Sequence, residues 1–372
     1  MSAQATRTDS DIDQRVAAAE AQAAVMWNNE PIAFADLPER IARTDRRALR
    51  DRLLAGYIEA LDALEPMHRE RLAAWLADGS PQPGEGDPVA MAEQMEPFAL
   101  LSETWYFAAL RRYLALIDIE QGDATIADLW HVLRGGAWEH WFGTRETREA
   151  VIATGREQIA VSDVAGWRRA QEMLAGTPEP GEGVVRAAVR QAYGLLAGSR
   201  EWLVRELRVP EHEVVPFVDF AAFARLAELR RAFAVLLFEQ RLYDDPDPGV
   251  SRAYYAGITG HMLGVQVPEA AYLHAVPRPW ASLEELRAAL LAGDLVEVLE
   301  GRFGDAWWRE AAAADLVASV RKASSVEDAL AQLGYDALDW RPVLRQIRTR
   351  LIGEMSGYGG PNITTRAGTR KV

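Results

Sequence analysis

The chain has no cysteine. Disulfides, thiolate zinc sites, iron–sulfur clusters and a cysteine nucleophile are therefore excluded, and the redox compartment stays open. Lysine is almost missing as well: Lys322 and Lys371 are the only two, so nearly every cation is an arginine. Positive charge is short overall, with 41 basic residues against 55 acidic ones and a formal net charge of −14. That balance argues against non-specific binding of DNA or RNA, which depends on clustered cations neutralising phosphates. Long apolar runs are lacking too. No window holds the roughly eighteen uncharged apolar residues of a membrane span, and the opening M-S-A-Q-A-T-R-T-D-S-D-I-D has no apolar h-region. No membrane partner and a cytoplasmic location are the expectation. There is no internal repeat of fixed period, which argues against a helical solenoid. Nor is there a sustained alternation of β-branched residues, so the expected fold class is all-α.

What is present is enough apolar side chain for a folded interior: 372 residues at 49% hydrophobic content can bury one large core or two ordinary ones. The stretch around which the rest is organised runs from Val218 to Tyr243. At about 100° per residue, Phe223, Leu226, Leu229, Phe233, Leu236 and Leu237 cover more than a third of a helical wheel. Phe220, Val235, Phe238 and Leu242 extend the apolar surface, leaving Arg225, Glu228 and Glu239 as a polar stripe. Such a helix belongs in the middle of a fold. Arg230 falls between Phe223 and Leu237, near the buried side, and calls for a carboxylate or carbonyl partner. A ligand-binding arginine is the other reading of it.

Around that helix the pattern is helical throughout. Residues 1–12 are polar and read as a loose N-terminus, followed by an alanine-rich helix from Val16 to Trp27. Leu49, Leu53, Leu54, Tyr57, Ile58, Leu61, Leu64, Leu72, Trp75 and Leu76 keep helical spacing, with a break expected at Pro66. Gly79 to Pro88 reads as a surface linker. Further helices are expected around Trp105 to Ile117, at Asp123 to Arg134, from Thr144 to Ile159, from Ser162 to Leu174, from Val184 to Leu196 and around Trp202. Beyond the central helix they recur at Ser251 to Leu263, Ser282 to Phe303, Ala306 to Lys322, Ser325 to Leu333 and Pro342 to Glu354. The expected organisation is two helical halves, 13–175 and 184–355, with a flexible basic tail at 356–372.

Several segments resemble the zinc peptidases of the thimet oligopeptidase and oligoendopeptidase F kind. They are D-F-A-A-F-A-R-L-A-E-L-R-R-A-F-A-V-L-L-F-E at 219–239, P-E-A-A-Y-L at 268–273, L-E-G-R-F-G-D-A-W-W-R at 299–309 and L-G-Y-D-A-L-D-W-R-P-V-L at 333–344. D-A-T-I-A-D-L-W-H-V-L-R at 123–134 and the stretch from Pro31 to Glu65 are similar to the family's N-terminal half. The likeness covers residues from about 120 to 350 and lies in scaffold segments. It implies a multi-helix metallopeptidase-like scaffold with a cleft between two halves.

The family's chemistry is not carried over. Its metal is held by H-E-x-x-H on one helix, where two imidazoles one turn apart converge and the glutamate activates a bound water. No H-E-x-x-H occurs here. His212-Glu213 is followed by Val214, Val215 and Pro216, and the passage from about Ala160 to Gly183, where the family's metal helix belongs, reads as a linker. In A-A-V-R-Q-A-Y-G-L-L at 187–196, which resembles the segment supplying the family's third ligand, Gln191 stands in the place of a glutamate, and an uncharged amide is a poor zinc ligand. Where the family has a glycine- and tyrosine-rich loop, this chain reads V-P-R-P-W-A-S at 276–282, with Trp280 nearby. No metal and no cofactor are expected from these residues.

Other chemistry has less behind it. Glu139 and His140, between Trp138 and Trp141, could form an acid/base pair in an aromatic pocket, but adjacent helical residues diverge by about 100°. His261 and His274 could share a metal only through a tertiary contact. No G-x-S-x-G is present. G-I-T-G-H-M-L-G at 257–264 has no strand before it and reads as a turn. Tyr254, Tyr255, Trp307 and Trp308 could line a cleft or fill a core.

The expected function is a non-catalytic relative of the zinc oligopeptidases that binds a peptide or a protein, an active peptidase among the conceivable partners. Gln191, Tyr193, Arg230, Tyr254, Tyr255, Trp280, Glu139 and His140 are its candidate ligand-binding residues. Arg366, Arg370 and Lys371 in the tail form either a recognition handle or a solvated end. The alternative is an enzyme with metal-independent chemistry, using Glu139, His140, Gln191, Tyr193 and Arg230. Oligomeric state is not legible.

Overall fold

The helical spacing of the apolar residues becomes helix along most of the chain. In a computed structural model of the protein, residues 2–77, 79, 81–133, 183–206 and 211–351 are described. The helices expected at 144–159 and 162–174, the pair Glu139 and His140, and the tail with Arg366, Arg370 and Lys371 lie outside these residues. The order is α1 (Ser2–Gln22), β1 (Ala24–Trp27), β2 (Glu30–Ala33), α2 (Leu37–Ala42), α3 (Arg47–Leu76), α4 (Pro88–Ala115) and α5 (Ile126–His131). Then come α6 (Val184–Gly194), α7 (Arg200–Glu206), α8 (Glu211–Asp244), α9 (Pro248–Leu263), α10 (Ala281–Phe303), α11 (Ala311–Arg321), α12 (Val326–Leu333) and α13 (Arg341–Arg350). Helix α1 takes in residues 2–12, where the composition reads as loose chain.

Among the described residues the all-α expectation is met apart from one small hairpin and an isolated parallel bridge between Thr125 and Gln266. Ala24–Trp27 pairs antiparallel with Glu30–Ala33, where the alanine-rich helix was expected to run on to Trp27. Asn28 and Asn29 have φ of 51° and 69°, the left-handed pair that a two-residue turn matched to strand twist requires and that asparagine tolerates. Two other sequence expectations also give way. Helix α3 passes through Pro66 without interruption. Proline removes one backbone donor, but Leu61 and Leu64 before it and Leu72 after it are all buried, which anchors the helix on both sides. The glycine-rich G-I-T-G-H-M-L-G is the end of α9 rather than a turn, and only its last residue leaves the helix: Gly264 is the left-handed cap, with φ of 67°.

The described chain divides into two compact units. One holds the described residues of 2–92, 107–133 and 230–282; the other holds those of 93–106, 183–229 and 283–351. These are not the sequential halves expected from composition, because α4 and α8, at 28 and 34 residues, each contribute to both units.

In the first unit α1 lies along α3, with Ile12 and Val16 buried and Arg15 paired with Glu70 at 2.6 Å. Its polar keystone is Asp128 on α5, which is fully buried. One carboxylate oxygen accepts from Arg50 at 2.9 Å, and the other accepts the Thr125 amide at 3.0 Å and hydroxyl at 3.1 Å to cap its own helix. Arg50, also buried, donates from Nη1 to the carbonyls of Thr44 and Asp45. The second unit is built on an apolar cluster that includes Val189, Tyr193, Trp202, Leu295, Trp307 and Leu330. There α10 and α13 come so close at Gly293 that a Cβ would lie 2.3 Å from Val343 Cγ2.

Candidate functional site

Two places in the first unit gather polar chemistry. One is the corner where V-P-R-P-W-A-S meets α8. The helical wheel puts Glu239 on the polar stripe of α8, but the side chain is 0% exposed. Its carboxylate accepts the Trp280 amide at 2.7 Å, the Tyr243 hydroxyl at 3.2 Å and the Ser282 hydroxyl. Burial pushes its pKa up, opposed by these hydrogen bonds. Trp280, whose amide makes the first of these bonds, has φ of 59°, an outlying conformation for a bulky residue. Its indole N–H donates to Pro81 O at 2.8 Å, and its ring meets Tyr243 edge-on at 4.9 Å. Beside it opens a hollow of about 430 Å³, lined among others by Pro81, Pro83, Gln240, Tyr243 and Trp280, with the carboxylates of Asp87 and Asp244 on its wall.

The other place joins three segments distant in sequence. Glu20 comes from the last turns of α1, His68 from α3, and His274 from the turn that follows a single 3-10 turn at Glu269–Ala271. Glu20 Oε1 lies 3.4 Å from His68 Nε2 and 3.4 Å from His274 Nδ1. One ligand atom from each residue falls within 4.8 Å of the others. His68 is 2% exposed, and neither of its ring nitrogens has a hydrogen-bond partner among the described residues. Burial, helped by the charge of Arg71, pushes its pKa down to about 4. Glu20 is held below the usual carboxylate value, first by its hydrogen bond with His274. Arg71, one turn beyond His68, donates to the carbonyls of Leu273 and Val276 and stacks over Trp75.

The residues singled out in the sequence are placed as follows. Gln191 and Tyr193 belong to the second unit. Gln191 Oε1 accepts from Arg225 at 2.6 Å, and Arg225 also pairs with Glu228. Tyr193 is buried, its ring 5.6 Å from Trp307. Arg230, Tyr254, Tyr255 and Trp280 belong to the first unit. Arg230 is 1% exposed and donates to Met262 O at 2.7 Å, with its guanidinium over Phe107; this is the carbonyl partner its wheel position calls for. Tyr255 is buried edge-on to Phe238, whereas Tyr254 faces solvent. Trp307 and Trp308 are buried in the second unit's core. His261 is exposed and takes no part in the cluster around His274.

Glu20, His68 and Glu239 were not among the candidate site residues drawn from the sequence. Glu239 and Glu20 look like ordinary polar positions on helices, and no local motif marks them. His68 carried a faint signal, since it continues the apolar spacing of Leu61, Leu64 and Leu72. Among the described residues no helix is long and apolar enough to cross a membrane. No protein-family model matches the chain, and a search of curated proteins finds no match.

Proposed function

We propose that the chain is a non-catalytic, cytoplasmic relative of the zinc oligopeptidases, whose metallopeptidase-like helical scaffold binds a peptide or a protein. The observation that carries this reading is Gln191. At the place that resembles the family's ligand glutamate stands an amide whose oxygen is taken up by Arg225. That position offers an ion no carboxylate, and its uncharged amide oxygen already accepts from a cation. The hollow beside Trp280 supports the binding half of the proposal. Aromatic and proline surface there would take an apolar side chain, and Asp87 and Asp244 would favour a neighbouring basic one. Metal-independent catalysis has less support, because Tyr193 and Arg230, two of its candidates, are buried and engaged.

The test is to incubate the full-length protein with a peptide mixture and identify by mass spectrometry what is retained and what is cut. Peptides recovered intact, rich in apolar and basic residues and lost with Trp280→Ala, are the expected result. Cleaved peptides, or retention unchanged by Trp280→Ala in a folded protein, would contradict the proposal.

A further inference from the structure

We infer that Glu20, His68 and His274 form a binding site for a divalent transition-metal ion of the zinc class, separate from the position of Gln191. The distances carry the first part of the argument. Zinc bonds of about 2.0–2.1 Å at tetrahedral angles set neighbouring donor atoms about 3.3 Å apart. Glu20 Oε1 sits 3.4 Å from a nitrogen of each histidine and all three donor atoms lie within 4.8 Å of one another, so drawing the two imidazoles together around one ion would bring it within reach of all three donors. The second part is the state of His68. A ring 98% out of solvent with neither nitrogen hydrogen-bonded is rare, because such a polar group loses its water and gains nothing. Coordination through Nε2 would satisfy the nitrogen that points at Glu20. The other nitrogen keeps no acceptor, unlike the usual orientation of a metal-bound imidazole.

Two imidazoles and a carboxylate suit zinc, cobalt or nickel far better than magnesium or calcium, which take oxygen donors. Three protein ligands leave at least one coordination position for water. The side chains of His274 and Glu20 are 35% and 29% exposed, which gives an ion a way in. Arg71 works against a cation here, but its guanidinium is committed to two backbone carbonyls and to Trp75. The three ligands come from three segments, so this is not the single-helix arrangement that the chain lacks. The inference does not rest on peptide binding.

Titration of the chelator-stripped full-length protein with Co²⁺, followed by displacement with Zn²⁺, tests it. One Co²⁺ per chain with the visible bands of a low-symmetry nitrogen and oxygen site is expected, lost on adding Zn²⁺. Glu20→Gln and His274→Ala, at half-exposed positions that leave the core intact, should each weaken Zn²⁺ binding by at least about 10- to 100-fold, since even indirect partners of ligands contribute that much. His68→Ala should do the same where circular dichroism shows it folded. His261→Ala should bind as the wild type does. Absence of stoichiometric Co²⁺ binding, equal affinity in wild type, Glu20→Gln and His274→Ala, or loss in His261→Ala would overturn the inference. Peptide retention measured on the same variants reports separately on the binding function.

Discussion

At the scale of single residues, the most consequential group is the imidazole of His68. Its native pKa, about 4, lies below the ordinary 6.5, so the native state refuses a proton that the unfolded chain accepts. The sign follows: this contribution to stability is present in full above 6.5 and is lost as the pH falls toward 4. Metal-free wild type should lose stability across that window with a slope approaching about 1.4 kcal/mol per pH unit relative to His68→Gln. Denaturant melts of both proteins from pH 7 to pH 4 measure it, and parallel curves would contradict the buried neutral state. Glu20, Arg71 and His274 surround the group, and their effects are common to both proteins.

Trp280 permits a second prediction at this scale. Its φ of 59° strains any side chain with a Cβ, so Trp280→Gly should be more stable than Trp280→Ala by about 1 kcal/mol, although both lose the packing of the indole. Equal stability of the two variants would show that the strain is not there. Removing the partner, Glu239→Ala, strands the Trp280 amide and two hydroxyls and should destabilise by about 3 kcal/mol, read from the denaturation midpoint. None of this was legible in the sequence. The wheel assigns Glu239 to solvent because it knows only its own helix, and the loop that folds over it arrives from 41 residues away. His68 differs, since a histidine in register with Leu61, Leu64 and Leu72 is a visible departure from the pattern.

At the scale of elements, periodicity located the helices but not all their ends: α4 starts at Pro88, well before Trp105, and α8 at Glu211, before Val218. Two of its other failures share a cause. Pro66 and the alanines before Trp27 were read by local propensity, which packing and turn chemistry override. The Asn28-Asn29 pair was the available hairpin signal, and it is weaker than the alanine-rich run beside it. The joint between α3 and α5 depends on a buried ion pair, Arg50 with Asp128, whose charge is matched by donors on every side. Asp128→Asn replaces half of a carboxylate with a donor facing other donors. It should destabilise by about 3–5 kcal/mol, and thermal melting of the variant measures it. A loss below about 1 kcal/mol would mean that the apolar contacts alone hold the joint.

At the scale of the whole molecule, the lack of strand alternation foretold a mostly helical chain, while the apolar content left one large core or two ordinary ones open and said nothing of how the chain is threaded. Two helices that each serve both units cannot be divided by any linear boundary, so the proline- and glycine-rich stretches marked loops rather than the edges of the units. The proposed function rests on Gln191, an amide at the position that resembles a ligand glutamate, whose oxygen accepts from Arg225. The proposed ion at Glu20, His68 and His274 does not involve that position.

The most direct measurement is a titration of the full-length protein into fluorescence-quenched peptides that report binding by anisotropy and cleavage by unquenching in the same cuvette. A saturable rise in anisotropy with no unquenching, reduced at least about tenfold in affinity by Trp280→Ala, is what the proposed binding surface without hydrolysis predicts. Unquenching that follows binding, or anisotropy that never rises, would contradict it.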